Sequence, residues 1–137
     1  MFRIRKSYRF EMAHQLDKSF SRCCSDSIHG HSYTAEVFFA RDDLDDTGMV
    51  VDFGALAEAK TLFESLDHAL LMPSTLDPHY LSVLGKFSKK LIIIPFNPTA
   101  ENIAAWALSK LTSSTIGKYV EKVRIHETST GWAECSR

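Results

Sequence analysis

His29-Gly30-His31 is the stretch of this sequence with the most evident chemistry. On a β-strand, residues i and i+2 project from the same face, so a strand here sets two imidazoles side by side. His14 carries a third, at the end of an earlier stretch that also alternates. Three imidazoles on one face suit Zn²⁺, which takes neutral nitrogen ligands at about 2.0–2.1 Å. With only three protein ligands the fourth position stays open, the pattern of a catalytic rather than a structural ion. The competing reading is three polar residues of half-buried strands with no common role.

Other reactive side chains lie nearby in sequence. Cys24 precedes His29 by five residues and Cys23 by six. A cation close to either thiol would lower its pKa and yield a usable thiolate; a loop cysteine without a role is the alternative. Asp67-His68 pairs a carboxylate with a side chain that exchanges protons near neutral pH, although many such pairs are merely solvated. Glu127 shares the parity of Val123 and Ile125. It is either a carboxylate at the end of an apolar face, needing a donor-rich partner, or a solvated residue beyond the strand. Glu101, near a helix start, complements the helix dipole.

The elements that must position these groups follow from periodicity. Phe2, Ile4, Tyr8, Phe10, Met12 and His14 fall on one parity against Arg3, Arg5, Ser7, Arg9 and Glu11, predicting a half-buried strand. Residues 15–28 read as a loop. A second strand runs from His29 to Phe39, followed by an acidic turn over Asp42 to Gly48. Asp52 caps a first helix whose inner face is Phe53, Leu56, Ala59, Phe63 and Leu66; Thr99 caps a second, with Ile103, Ala107 and Leu111 inward. Residues 72–98 contain all four prolines and read as a connecting region with room for a short helix. Val123 and Ile125 mark a third strand, and Trp132 to Cys135 a fourth. The predicted order is β-β-α-α-β-β: an α+β domain with two helices on one face of an antiparallel sheet.

The 137 residues fit a single domain, 1–137. Lys and Arg number 16 against 17 Asp and Glu, which argues against a nucleic-acid partner held by bulk charge. No window of about 18 apolar residues exists, so no membrane span is expected. The amino terminus has no signal-like apolar run, and a cytoplasmic location is expected. Three cysteines are an odd count, and an adjacent pair is poorly placed to bridge with itself, which predicts reduced thiols.

Taken together, Phe10-Glu11-Met12-Ala13-His14, the Cys-rich loop, Ile28-His29-Gly30-His31-Ser32-Tyr33, Gly48-Met49-Val50-Val51-Asp52-Phe53, Leu66-Asp67-His68, Pro98-Thr99-Ala100-Glu101-Asn102 and His126-Glu127-Thr128 occur in order. From Phe2 to about Ala133 the chain resembles the 6-pyruvoyl-tetrahydropterin synthase / 6-carboxy-tetrahydropterin synthase family. The resemblance implies the tunnelling fold, with a barrel closed by oligomerisation into a homohexamer of two stacked trimers. It implies Zn²⁺ on His14, His29 and His31, and a cysteine before His29 as proton acceptor, with Cys24 preferred over Cys23. Asp67 and His68 become a second acid/base unit, and Glu127 the carboxylate that anchors a pterin ring. Thr99 and Glu101 correspond to a stretch that lines the pterin pocket from an adjacent subunit.

The implied substrate is 7,8-dihydroneopterin triphosphate, a small-molecule pterin triphosphate. The short chain and compact loop before His29 resemble the lyase branch that releases acetaldehyde and triphosphate and forms 6-carboxy-5,6,7,8-tetrahydropterin, toward queuosine. The alternatives are the 6-pyruvoyl product of the biopterin branch, or a non-catalytic zinc-containing pterin-binding oligomer. Glu11 and Met12 depart from the small residues usual before His14, and residues 73–97 do not match the family's short connector.

Overall fold

A computed structural model describes residues 1–137. Two long strands, β1 (Phe2–His14) and β2 (His29–Arg41), pair antiparallel from Phe2↔Arg41 through to His14↔His29. Their alternation sends Phe10, Met12 and His14, with Tyr33, Ala35 and Val37, to one buried face. β5 (Val120–His126) pairs antiparallel with β2 across an irregularity at Phe38/Phe39, and β6 (Trp132–Ser136) completes that side.

Two helices cover the buried face. A 3₁₀ turn (Phe53–Leu56) leads into α2 (Ala57–Leu66), and Asp52 accepts the Gly54 N–H at 2.7 Å as the sequence predicts. Thr99 accepts the Asn102 N–H to start α4 (Ala100–Thr112). Phe63 and Leu66 of α2 and Ile103, Ala107 and Leu111 of α4 join Phe10, Tyr33, Val37 and Ile125 in one apolar cluster. Phe10 stacks on Tyr33 and Phe63, with ring centroids 5.1 and 5.9 Å apart.

The α+β assignment holds, and two features differ from expectation. The loop at 15–28 contains a helical turn, α1 (Arg22–Ser25). More substantially, residues 69–94 form a strand–helix–strand arm of β3 (Ala69–Pro73), α3 (Pro78–Phe87) and β4 (Leu91–Ile94): the short helix has its place in the expected connector, the two strands do not. β3 runs parallel to β1 and β4 parallel to β3, so the sheet is mixed, in the order β4-β3-β1-β2-β5-β6. The run Leu-Ile-Ile-Ile is short, β-branched and apolar, the signature of a parallel strand that periodicity cannot distinguish from loop or helix. Asp77 caps α3 with Pro78 at its first position.

The opposite sheet face is uncovered and charged. Arg3 pairs with Glu121 at 2.8 Å, while Arg5, Arg124 and His126 surround Glu36, whose side chain is only 7% exposed. Burial alone would raise the Glu36 pKa; the hydrogen bond with His126 and the charges of Arg5 and Arg124 outweigh it and hold the group below its ordinary value. The basic stripe of β1 is therefore largely committed to carboxylates within the chain.

Two glycines separate backbone need from convenience. A Cβ on buried Gly117 would lie 2.0 Å from the Thr112 carbonyl oxygen, whereas one on Gly85 in α3 meets only Leu91 at 3.6 Å. Gly117→Ala should therefore cost about 2–3 kcal/mol in urea denaturation, while Gly85→Ala should stabilise by up to about 1 kcal/mol through helix propensity. Equal effects would contradict this packing.

Candidate metal centre and the cleft beside it

The β1–β2 register brings His14, at the end of one strand, opposite His29, at the start of the next, with His31 beside Met12. One nitrogen from each imidazole lies within 4.8 Å of the others. His14 donates Nδ1–H to the Pro98 carbonyl at 2.8 Å, and His29 donates Nδ1–H to the Ser27 carbonyl at 3.1 Å. Both bonds fix the tautomer so that the Nε2 lone pairs face inward. Those two Nε2 atoms are 3.1 Å apart. Two acceptors at that range repel, but ligands about 2.05 Å from a shared tetrahedral ion stand about 3.3 Å apart. The Nε2 of His31 is buried without a hydrogen-bond partner. An unpartnered buried ring nitrogen, two preset tautomers and an all-imidazole donor set fit a divalent ion such as zinc.

Around this cluster stand groups of different chemistry. Glu127 lies one residue past β5, half-buried, with Oε1 3.7 Å from His31 Nε2. It is neither a strand residue nor simply solvated. It borders a cleft of about 280 Å³ with Leu16, Thr99, Glu101 and Trp132. Thr99 and Glu101 thus meet Glu127 within a single chain, whereas the family resemblance brings that stretch from a neighbouring subunit. A second, wholly polar hollow runs from Glu127 and His31 to Arg9 and His126.

Asp67 ends α2 and His68 follows with φ 58°, the left-handed region that non-glycine residues rarely adopt. This conformation is held on both sides of the peptide. Asp67 Oδ1 accepts the Glu11 N–H at 2.8 Å, and the His68 N–H donates to the Glu11 carbonyl at 2.6 Å. The Glu11 N–H, chiefly, holds the Asp67 carboxyl below its ordinary range. Asp67 Oδ2 lies 3.0 Å from His68 Nδ1, and the imidazole, 79% exposed, borders a hollow of about 370 Å³ shared with His31 and Gly30.

Cys24 is half-buried and Cys23 exposed. Burial first, then Cys23 and the charge of Glu127, push the Cys24 thiol above its ordinary pKa. The protein's own groups therefore raise the thiol, and the lowering expected from sequence depends on a nearby cation. Because α1 is helical, the two sulfurs lie 3.8 Å apart instead of pointing opposite ways as an extended loop would have them.

The sequence gives no functional signal for Tyr33, whose alternating, buried position reads as core. Its hydroxyl lies 3.3 Å from His14 Nδ1, and burial, then the charge of Glu127, raise its pKa. Pro98 contributes through its carbonyl alone. Asn97 locks that turn to the cysteine loop, accepting from the Asp17 N–H at 2.8 Å and donating to the Lys18 carbonyl at 2.9 Å; its signal was only its place before Pro98-Thr99.

The His14 pKa is lowered to about 4, chiefly by burial, with His29 and His31 adding to the effect and the Pro98 bond opposing it. An unfolded histidine titrates near 6.5. Between those values the unfolded chain binds more protons, so stability falls as pH falls through the window. Metal-free protein should lose about 1.5 kcal/mol between pH 6.5 and 5, read by urea denaturation with a chelator present. A His14→Asn variant should lose much less; an unchanged slope would assign the effect to other groups.

Comparison with known proteins completes the picture. A family profile described as 6-pyruvoyl tetrahydropterin synthase matches residues 3–137. The 6-carboxy-5,6,7,8-tetrahydropterin synthase of Helicobacter pylori is 33% identical over 141 residues, covering 96% of this chain and 70% of that protein. The protein of the same name from Haemophilus influenzae is 32% identical, covering 98% of each chain. A crystal structure of an uncharacterized protein from Wolinella succinogenes superposes with a TM-score of 0.86 at 21% identity, covering 99% of this chain and 98% of the other. Spanning nearly the whole chain, the profile match shows that this protein belongs to the 6-pyruvoyl tetrahydropterin synthase family.

Proposed function

We propose that this chain is a zinc-dependent 6-carboxy-5,6,7,8-tetrahydropterin synthase. In this reading it converts 7,8-dihydroneopterin triphosphate to 6-carboxy-5,6,7,8-tetrahydropterin with release of acetaldehyde and triphosphate, a step toward queuosine. The observation that carries the reading is the convergence of three imidazoles, one with an orphaned Nε2, beside Glu127 and the Asp67–His68 pair. The printed names of the Helicobacter and Haemophilus relatives support the carboxy product.

Each side chain has a distinct task. Glu127 accepts two N–H groups from the guanidine-like edge of the pterin, a two-donor match to a carboxylate. Thr99 and Glu101 border the same cleft and limit how the ring can sit. His14, His29 and His31 would hold Zn²⁺, which would supply a Lewis acid and a positive charge that favours the Cys24 thiolate. Cys24 accepts a proton from the substrate side chain. His68 moves a second proton, with Asp67 fixing which ring nitrogen carries it.

The same reading includes assembly into a homohexamer whose subunits close a barrel. It is supported by two free sheet edges, β4 and β6, and by the uncovered charged face. The accessible surface of 7926 Å² also exceeds the roughly 7,000 Å² that scaling gives for a compact monomer of this mass.

Incubation of zinc-loaded protein with 7,8-dihydroneopterin triphosphate, followed by mass analysis, should give the carboxy product, acetaldehyde and triphosphate. A pyruvoyl product without aldehyde would move the protein to the biopterin branch, and no triphosphate release would leave a pterin-binding oligomer. Three substitutions divide the roles. Cys24→Ala should cut turnover by about two powers of ten or more with zinc content normal, while Cys23→Ala stays within a few-fold. Glu127→Gln should weaken pterin binding with zinc retained, because the amide turns a donor toward a donor; unchanged affinity would remove Glu127 from the pterin site.

A further inference from the structure

The adjacent cysteines have a geometry the proposed reaction does not use. Their sulfurs lie 3.8 Å apart, within S–H···S reach, and neither is in a disulfide. Backbone bonds hold both residues: the Cys24 N–H donates to Ser21 at 3.0 Å, the Cys24 carbonyl accepts from Leu16 at 2.9 Å, and the Cys23 carbonyl accepts from the Ser27 hydroxyl at 3.1 Å. Consecutive Cα atoms stand about 3.8 Å apart across a trans peptide, below the roughly 4.4–6.8 Å that disulfides span. The pair is thus poorly set to oxidise onto itself.

One atom bonded to both sulfurs is a different matter. With sulfur bonds of about 2.3 Å, the length of a zinc thiolate bond, and an angle of about 100–110°, the two sulfurs stand about 3.5–3.8 Å apart. That is the separation observed. A divalent zinc-like cation calls for about four ligands, and no third histidine, cysteine or carboxylate groups with this pair. A monosubstituted trivalent arsenic needs only two thiolates besides its carbon. Cys23 is open to solvent, and Cys24 is bonded through its carbonyl to Leu16, which borders the cleft beside Glu127.

We propose that Cys23 and Cys24 form a two-thiol binding site for trivalent arsenicals at the rim of the metal cleft. With phenylarsine oxide, two S–H bonds break and two As–S bonds form. The two protons leave with the oxide oxygen as one water; arsenic stays trivalent and no electrons are transferred. Capture is a property of the thiol pair. Its consequence, blocked turnover, rests on the proposed role of Cys24.

The experiment adds one equivalent of phenylarsine oxide to the zinc-loaded protein and reads native mass, zinc content and turnover together. The expected result is one phenylarsenic per chain with zinc retained, and at least a tenfold loss of turnover. Excess 2-mercaptoethanol should leave the adduct in place and 2,3-dimercaptopropanol should remove it. Cys23→Ser should keep turnover within a few-fold yet form no monothiol-resistant adduct, and Cys135→Ser should behave as the parent. No adduct on the parent, or a resistant adduct on Cys23→Ser, would overturn the site. A full adduct with undiminished turnover would uphold it and instead remove Cys24 from catalysis.

Discussion

A one-residue slip between β1 and β2 would turn His14 to the charged face of the sheet while leaving His29 and His31 on the core side. The pairing of His14 with His29 is therefore the constraint on which the centre depends. It is fixed from a distance. Phe10 and Met12 on β1 and Tyr33 and Val37 on β2 must all be buried together under α2 and α4, so a slip would expose several large side chains, each worth roughly 1.5–3 kcal/mol when buried. The apolar core thus sets the position of polar groups at its edge, and the ligands need no favourable interaction among themselves to stay in place. Placing three nitrogen atoms within 4.8 Å without an ion is unfavourable, and the core absorbs that cost.

From the strand ends the arrangement extends outward through main-chain groups. The Pro98 carbonyl orients His14, and the turn containing it is tied by Asn97 to the loop that carries both cysteines. The start of α4 holds Thr99 and Glu101 next to that turn, so a single corner connects one imidazole of the histidine cluster, the thiol loop and the cleft that borders Glu127. On the other side, the paired bonds between Glu11 and residues 67–68 bring the Asp67 carboxylate and the His68 imidazole from the far end of α2 to the same strand end.

Much of this was legible in the residues. Period-two alternation announced β1 and β2 and put the three histidines on one face; Asp52 and Thr99 announced the helix starts. The arm from Ala69 to Ile94 was not legible, because strands of four or five apolar residues have too few positions to show a period, and because four prolines suggested a connector. Tyr33 hid as an ordinary core aromatic, and Pro98 acts through a backbone atom that every residue possesses. The cysteine loop misled differently: extended geometry separates neighbouring side chains, and only the helical turn at Arg22–Ser25 lets the sulfurs meet.

At position 68, folding and reactivity pull in opposite directions. A left-handed backbone costs an ordinary residue on the order of 1 kcal/mol, and glycine would relax it. Glycine has no imidazole, so the relaxed chain would lose the side chain that meets Asp67 Oδ2. A chain optimised for stability alone would drift to glycine there. The strained histidine marks a place where the protein gives up some of its small margin of stability to keep an imidazole beside the hollow that His31 and Gly30 also border.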